Sequence, residues 1–211
     1  MSLEDALEHY RRYFNEKIDT HGAVPQGVDY NGPEAQSIRF QQLVKVIDPS
    51  RPFDIIDYGC GYGGLLTYLQ ATGWDFRYHG YDMLEKMIQA ARDAHREAAN
   101  ADFAALETTL QLSDYVIAGA IFNNKFEAPV DAWREHTLRV LDKLNTWCKR
   151  GLAFNMLSSY SDVDRMAQRP DLYFGDPLMY FDYCKRNFSR DVSLLHDYGL
   201  YDFTIIVRKQ P

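Results

Sequence analysis

Paired cysteines, long apolar runs and an excess of basic charge are all missing from this chain of 211 residues. Its three cysteines, Cys60, Cys148 and Cys184, are odd in number, far apart and never spaced as Cys-x-x-Cys. That pattern argues against a disulfide framework or a zinc knuckle and reads as reduced thiols. No apolar run approaches the roughly twenty residues that span a bilayer. The opening Met-Ser-Leu-Glu-Asp-Ala-Leu-Glu is acidic and amphipathic, unlike a secretory signal. A cytoplasmic protein with no membrane partner is expected. The formal net charge of −7 opposes a broad phosphate-tracking surface, which disfavours nucleic acid and favours a small-molecule partner. His9, His21, His79, His95 and His136 lack metal-like spacing, so no metal site is expected.

What is present is apolar and aromatic mass, 46% and 14% of residues, enough for one core and short for two independent enzymes. A single domain over residues 1–211 follows. From Phe53 short apolar strands alternate with helical stretches, the pattern of a largely parallel α/β sheet covered on both faces. Strands are predicted at Asp54–Asp57, Arg77–Tyr81, Asp102–Ala104, Tyr115–Phe122 and Gly151–Leu157, with helices at about Gly64–Thr72, Met83–Ala98 and Val130–Cys148. Val192–His196 and Phe203–Val207, joined through Asp-Tyr-Gly-Leu-Tyr, read as an antiparallel hairpin. Ahead of the sheet stand a tyrosine-rich helix, a Gly/Pro/Asn-rich connection at His21–Pro33 and a helix at about Glu34–Ile47.

The densest signal is residues 53–64, Phe-Asp-Ile-Ile-Asp-Tyr-Gly-Cys-Gly-Tyr-Gly-Gly. A β-branched run ends in a carboxylate, and a turn follows that glycines can carry closely around a ligand. Gly59-x-Gly61-x-x-Gly64 satisfies the dinucleotide fingerprint, while Asp57-x-Gly59-x-Gly61-x-Gly63 satisfies the pattern of S-adenosylmethionine enzymes. The carboxylate discriminates. An aspartate two residues before the first glycine would repel a pyrophosphate, whereas S-adenosylmethionine offers an ammonium and a sulfonium and carries no phosphate.

On these residues the chain resembles the class I S-adenosylmethionine-dependent methyltransferases, over roughly residues 50–157 plus the terminal hairpin. The resemblance implies a Rossmann-like, doubly wound, mostly parallel seven-stranded sheet with an N-terminal helical cap. It divides the chain into cap 1–50, cofactor-binding core 51–157, acceptor cover 158–190 and terminal hairpin 191–211. It also implies that Asp57, Gly59, Cys60, Gly61 and Gly63 hold the methionine end of the cofactor. Asp82, about twenty residues beyond the loop, would bind the ribose. Met83 would pack on adenine, Asp102 and Phe103 would meet its amino group, and Ala118, Gly119 and Ile121 would lie under the sulfonium. Asn123 and Asn124 would open toward the acceptor. Their lack of an Asn/Asp-Pro-Pro-Tyr signature removes support for base or amide methylation. The narrower segments Gly27–Asn31, Gln36–Phe40, Phe154–Ser158 and His196–Phe203 look like a group of bacterial methyltransferase-like proteins with no established acceptor.

Around that core the candidates thin out. Arg39, one helical turn from Gln36, is either an exposed residue or a fork for a carboxylate of cofactor or acceptor. Tyr30 and Asp29 are turn residues or part of a lid that excludes water. His196, with Asp197 beside it, is the first candidate general base, followed by Tyr160 and Tyr30. Tyr173, in the cover, is a candidate acceptor contact. The expected activity is methyl transfer to a small molecule, leaving S-adenosylhomocysteine. A non-catalytic S-adenosylmethionine-binding protein, an RNA methyltransferase and an NAD-dependent oxidoreductase are the alternatives, and the residues fix neither the acceptor, the attacked atom nor the number of subunits.

Overall fold

The computed structural model describes residues 2–106 and 112–209, so the last two residues of the expected 191–211 hairpin segment lie outside it. Seven strands form one sheet: β1 (Phe53–Tyr58), β2 (Phe76–Asp82), β3 (Ala101–Ala105), β4 (Ser113–Gly119), β5 (Cys148–Leu157), β6 (Asp191–Leu195) and β7 (Asp202–Arg208). Their spatial order is β3-β2-β1-β4-β5-β7-β6. The pairs β3–β2, β2–β1, β1–β4 and β4–β5 are parallel, and β7 runs antiparallel to both β5 and β6. The sheet is Rossmann-like and doubly wound, with the expected antiparallel end. Its order reverses beside β1, and the crevice beyond the carboxyl ends of β1 and β4 is where such sheets bind ligands.

Among the described residues seven α-helices accompany the strands: α1 (Leu3–His21), α2 (Pro33–Leu43), α3 (Gly64–Gln70), α4 (Glu85–Ala94), α5 (Val130–Trp147), α6 (Val163–Gln168) and α7 (Pro177–Asn187). Strand alternation divides the apolar residues between two layers. On one face Ile56, Val116, Phe154, Phe203 and Ile205 pack with Trp133, Leu141 and Leu144 of α5 and with Tyr180 and Cys184 of α7. On the other, Ile55, Tyr78, Ile117, Ala153 and Ile206 pack with Phe40 and Leu43 of α2, Leu65 and Leu69 of α3 and Ile88 of α4. Because both faces are covered, the central strands carry continuous apolar runs.

Of the boundaries that differ from expectation, three have a clear local reason. The second helix leaves α geometry at Leu43 and tightens into a short turn over Val44–Val46. The helix predicted over Met83–Ala98 spans Glu85–Ala94, where His95 caps it and lays its ring against Phe103. The fourth strand stops at Gly119 because Ala120 adopts a left-handed backbone, φ 59°, with its N–H donated to Asn155 Oδ1 at 2.8 Å. Chain after β4 is thereby turned across the strand tips. Further along, Trp133 of α5 donates its indole N–H to Phe122 O at 2.8 Å and fixes that turn from below. No helix among the described residues is long and apolar enough to cross a membrane.

Trp133→Phe keeps an aromatic ring at this fully packed position but orphans the Phe122 carbonyl. Stability is expected to fall by about 2 kcal/mol, read from urea denaturation. A loss below about 0.5 kcal/mol would remove the indole bond from the turn's anchoring.

Candidate cofactor and acceptor site

β1 delivers Asp57 and then a loop whose glycines are required by neighbouring protein as well as by backbone shape. Gly59 and Gly61 have φ of 81° and 53°. A β-carbon on Gly59 would stand 2.3 Å from Ile121 Cγ2, and one on Gly61 would stand 2.8 Å from Val28 Cγ1. The loop is thus pressed between the turn after β4 and the segment preceding α2. β2 ends in Asp82, whose Oδ2 accepts from the Gly61 N–H and whose Oδ1 accepts from the Leu84 N–H, both at 2.9 Å. One carboxylate therefore shapes the glycine loop and the start of the next helix together.

A cavity of about 290 Å³ lies at these strand tips. Its floor includes Asp57, Gly59, Cys60, Gly61, Asp82, Gly119 and Ile121; Tyr30 and Arg39 wall it on the α2 side, and Asn123, Asn124 and Leu172 on the other. The roof is α1, which presents Tyr10, Tyr13, Phe14 and Lys17 along one stripe. Tyr13 and Lys17 both reach Asp29, at 2.8 Å each, and His9 stacks on Phe126 at 4.2 Å while lying 3.0 Å from Glu127. A smaller apolar cavity, about 110 Å³, adjoins it and shares Tyr10, Gly59, Asp82 and Ile121; Met83, Leu106 and Phe122 complete much of its wall.

Both carboxylates are under strain. Burial raises Asp57 to about 7; the Tyr78 hydroxyl, donating at 2.6 Å, opposes the shift and Asp82 adds to it. Burial also raises Asp82 to about 6, against the N–H groups that stabilise its charge. No cation contributes to either group. Burial likewise pushes the Cys60 thiol and the Tyr30 hydroxyl upward, so both are protonated at neutral pH.

The sequence candidates divide accordingly. Asp57, Gly59, Cys60, Gly61, Asp82, Gly119, Ile121, Tyr30, Arg39, Asn123 and Asn124 meet in the large cavity, and Met83 lines the small one. Gly63 sits just outside, as the left-handed cap of α3 against His95 and Phe103. Phe103 and Ala118 are buried within the sheet layers and line neither cavity. Asp102 is exposed at the sheet edge, 2.7 Å from His79, and Leu106 occupies the wall expected for it. Tyr173 is buried on the other face, hydrogen-bonded to Tyr180 at 2.9 Å. His196 and Asp197 are exposed outside the cavity, and Tyr160, 67% exposed, packs beside His196.

Two expected acceptor contacts already have structural partners. Arg39 holds Asp202 through Nε at 3.0 Å and Nη2 at 2.5 Å, and its guanidinium faces the Tyr30 ring at 5.2 Å. Asn123 accepts from the Leu157 N–H at 2.9 Å. Sequence reasoning missed Tyr10, Tyr13 and Lys17, whose i, i+3, i+7 spacing was the available signal, and Gln36. The Gln36 carbonyl accepts from the Tyr62 hydroxyl at 2.8 Å, which leaves its amide N–H₂ free beside Gly64. Arg165 and Arg169 also line the cavity and gave no signal.

A family model for a methyltransferase domain matches residues 55–147, from β1 to the end of α5. The Mycobacterium tuberculosis protein Rv1506c, whose name calls it a methyltransferase and gives no acceptor, is 45% identical over 166 residues, 79% of this chain and 99% of that protein. The chain belongs to the class I S-adenosylmethionine-dependent methyltransferases. Solved structures agree on the fold. Magnesium protoporphyrin IX methyltransferase from Synechocystis PCC 6803, with bound SAH, superposes with TM-score 0.70 at 17% identity over 96% of this chain and 99% of that one. Human N-acetylserotonin methyltransferase, in complex with SAM, gives TM-score 0.68 at 17% identity over 100% of this chain and 61% of that one. The site fits the S-adenosylmethionine type of ligand held in those two structures: among the described residues a buried carboxylate without a cation faces a glycine loop with no phosphate-binding charge.

The sign of the Asp57 shift makes two outcomes testable. A carboxyl raised on folding binds a proton that the unfolded chain has lost between about pH 4 and 7, so its burial lowers stability as pH rises through that window. Asp57→Asn is expected to stabilise the free protein at pH 8 by about 1–3 kcal/mol in thermal unfolding. In the unsubstituted protein, S-adenosylhomocysteine affinity should fall by up to about tenfold per pH unit below pH 7, with proton release in calorimetry at pH 6. A flat profile from pH 5.5 to 8 would detach Asp57 from the ligand's ammonium.

Proposed function

We propose that this methyltransferase acts on a small-molecule acceptor enclosed between the glycine loop, the Asn123–Asn124 turn and the α1 roof. The observation that carries the reading is the cavity itself: about 290 Å³, roofed by α1, and directly continuous with Gly59, Gly61 and Asp57. A roofed space of this size admits a small molecule beside the methionine end of a cofactor and gives no groove for a polymer. The net charge of −7 supports the same choice.

When bound, S-adenosylmethionine supplies a methyl group already activated by positive sulfur. The chain's own contribution is to hold, align and dry the site. In this reading Asp57 accepts from the ammonium, the free Gln36 amide donates to the carboxylate, and Asp82 accepts from the ribose hydroxyls on lone pairs that its two N–H bonds leave open. Met83, Leu106 and Ile121 flank the base in the small cavity. Tyr10, shared by both cavities, seals the cofactor from above, and Gly119, Ala120 and Tyr30 border the acceptor. His196, Asp197 and Tyr160 lie outside, Tyr30 is held protonated, and Asp29, the one further carboxylate lining the cavity among the described residues, is engaged by Tyr13 and Lys17, so in this reading the transfer proceeds without a general base. The acceptor atom is then one with an available lone pair at neutral pH.

We treat residues 1–211 as one catalytic domain in which cap, core, cover and hairpin are parts. All three cysteines are buried free thiols, which supports a reducing, cytoplasmic setting. Calorimetry should show S-adenosylhomocysteine binding and no NAD(H) binding, and Asp82→Ala should weaken the former by about 1–3 kcal/mol. Preference for NAD(H), or an unchanged affinity in the variant, would overturn these assignments.

A further inference from the structure

Four cationic side chains line the large cavity: Lys17, Arg39, Arg165 and Arg169. Three have carboxylates. Lys17 pairs with Asp29 at 2.8 Å, Arg39 with Asp202 at 2.5 Å, and Arg169 with Asp171 at 2.8 Å. Arg165, on α6, is the exception among the described residues. Its guanidinium carbon lies 4.4 Å from the centroid of the Tyr201 ring, and its Nε is buried with no hydrogen-bond partner. Asp162, in the same segment, accepts from the Tyr201 hydroxyl at 2.5 Å instead. The ring is thus fixed by an acid, and the cation is fixed by the ring.

A guanidinium lying over an aromatic ring has its donors oriented by that ring, and because no donor of Arg165 meets an acceptor among the described residues, those on the cavity side are left for a ligand oxygen. The cofactor does not require it. Its ammonium and carboxylate have Asp57 and Gln36, at the glycine loop. α6 belongs instead to the cover, which is anchored at the acceptor wall by a bridge between Leu172 and Asn124 and by the Tyr173 N–H donating to Asn123 O at 2.7 Å.

We propose that Arg165 binds an oxyanion of the methyl acceptor, so that the substrates are small carboxylated or phosphorylated molecules. This rests on the reading of the cavity as a methyl-acceptor site. A protein of net charge −7 repels such molecules at long range, and a local, desolvated cation is what captures them.

The test uses the full chain saturated with S-adenosylhomocysteine and titrated with benzoate, phenyl phosphate and the neutral isostere benzamide. At least one anion should bind about tenfold or more tighter than benzamide. Arg165→Gln should abolish that preference while changing S-adenosylhomocysteine affinity by less than about twofold, and Arg165→Lys should restore part of it. The intact cofactor affinity reports that the variants fold. Equal binding of anions and benzamide, no anion binding by the unsubstituted protein, or an Arg165→Gln protein that still prefers anions would overturn the inference. So would a parallel loss of cofactor affinity in Arg165→Gln, which would assign the guanidinium to the cofactor's carboxylate and leave the methyltransferase reading standing. Failure of the unsubstituted protein to bind S-adenosylhomocysteine would overturn both.

Discussion

Asp57 and Asp82 stand buried at the tips of adjacent strands with no cation beside either, and much of the molecule is arranged around that unbalanced pair. Burying an unpaired carboxylate costs free energy, and in the free protein the cost emerges as a raised proton affinity at both groups. Tyr78 and the N–H groups of Gly61 and Leu84 offset part of it. The remainder is stability withheld from the fold so that a ligand bringing an ammonium and two hydroxyls gains it on binding. Asp82 does a second job. By holding the Gly61 N–H it sets the path of the loop, so on the proposed reading ribose recognition and loop shape would be properties of one side chain.

This coupling explains why the centre of the site was legible in the sequence and the margins were not. Asp57, the glycines and Asp82 are fixed by spacing within one β-loop-α-β unit, where local sequence determines local geometry. The strand order and the antiparallel end follow from equally local signals, the alternation of elements and the turn between β6 and β7. Asp102 lies outside both cavities because its register on the edge strand pairs it with His79. Leu106, just past the end of that strand, lines the small cavity, and Asp102 is left on the solvent side.

Long-range relationships carried no such signal. Tyr173 was named for being an aromatic residue in the cover, but the sheet has two faces, and it packs on the one away from the ligand with Tyr180. Arg39 was read as a fork for a ligand carboxylate, and the fork is filled by Asp202, 163 positions away. The roof is the opposite case. The i, i+3, i+7 spacing puts Tyr10, Tyr13 and Lys17 on one helix face but does not say what that face covers, because their place comes from α1 crossing over strand tips distant in sequence. It is fastened by short polar contacts at Asp29 and a ring stack at Phe126, and by the buried side chains of Ala6, Phe14 and Ile18.

Charge pairing then separates the groups that hold the roof and walls together from those left for a ligand. Lys17, Arg39 and Arg169 each have a carboxylate from the protein, and each pairing joins two different parts of the wall or stiffens one of them. Such pairs offer little to an incoming molecule, since binding a new anion would mean sharing or surrendering an existing one. Among the described residues lining the cavity, the charged groups with no partner of opposite charge are Asp57, Asp82 and Arg165. Two are negative and lie at the glycine loop, and one is positive and lies on the cover. A ligand set with its positive charge and hydroxyls at one end and an oxyanion at the other satisfies all three at once, while a neutral acceptor would leave the Arg165 guanidinium without a counter-charge.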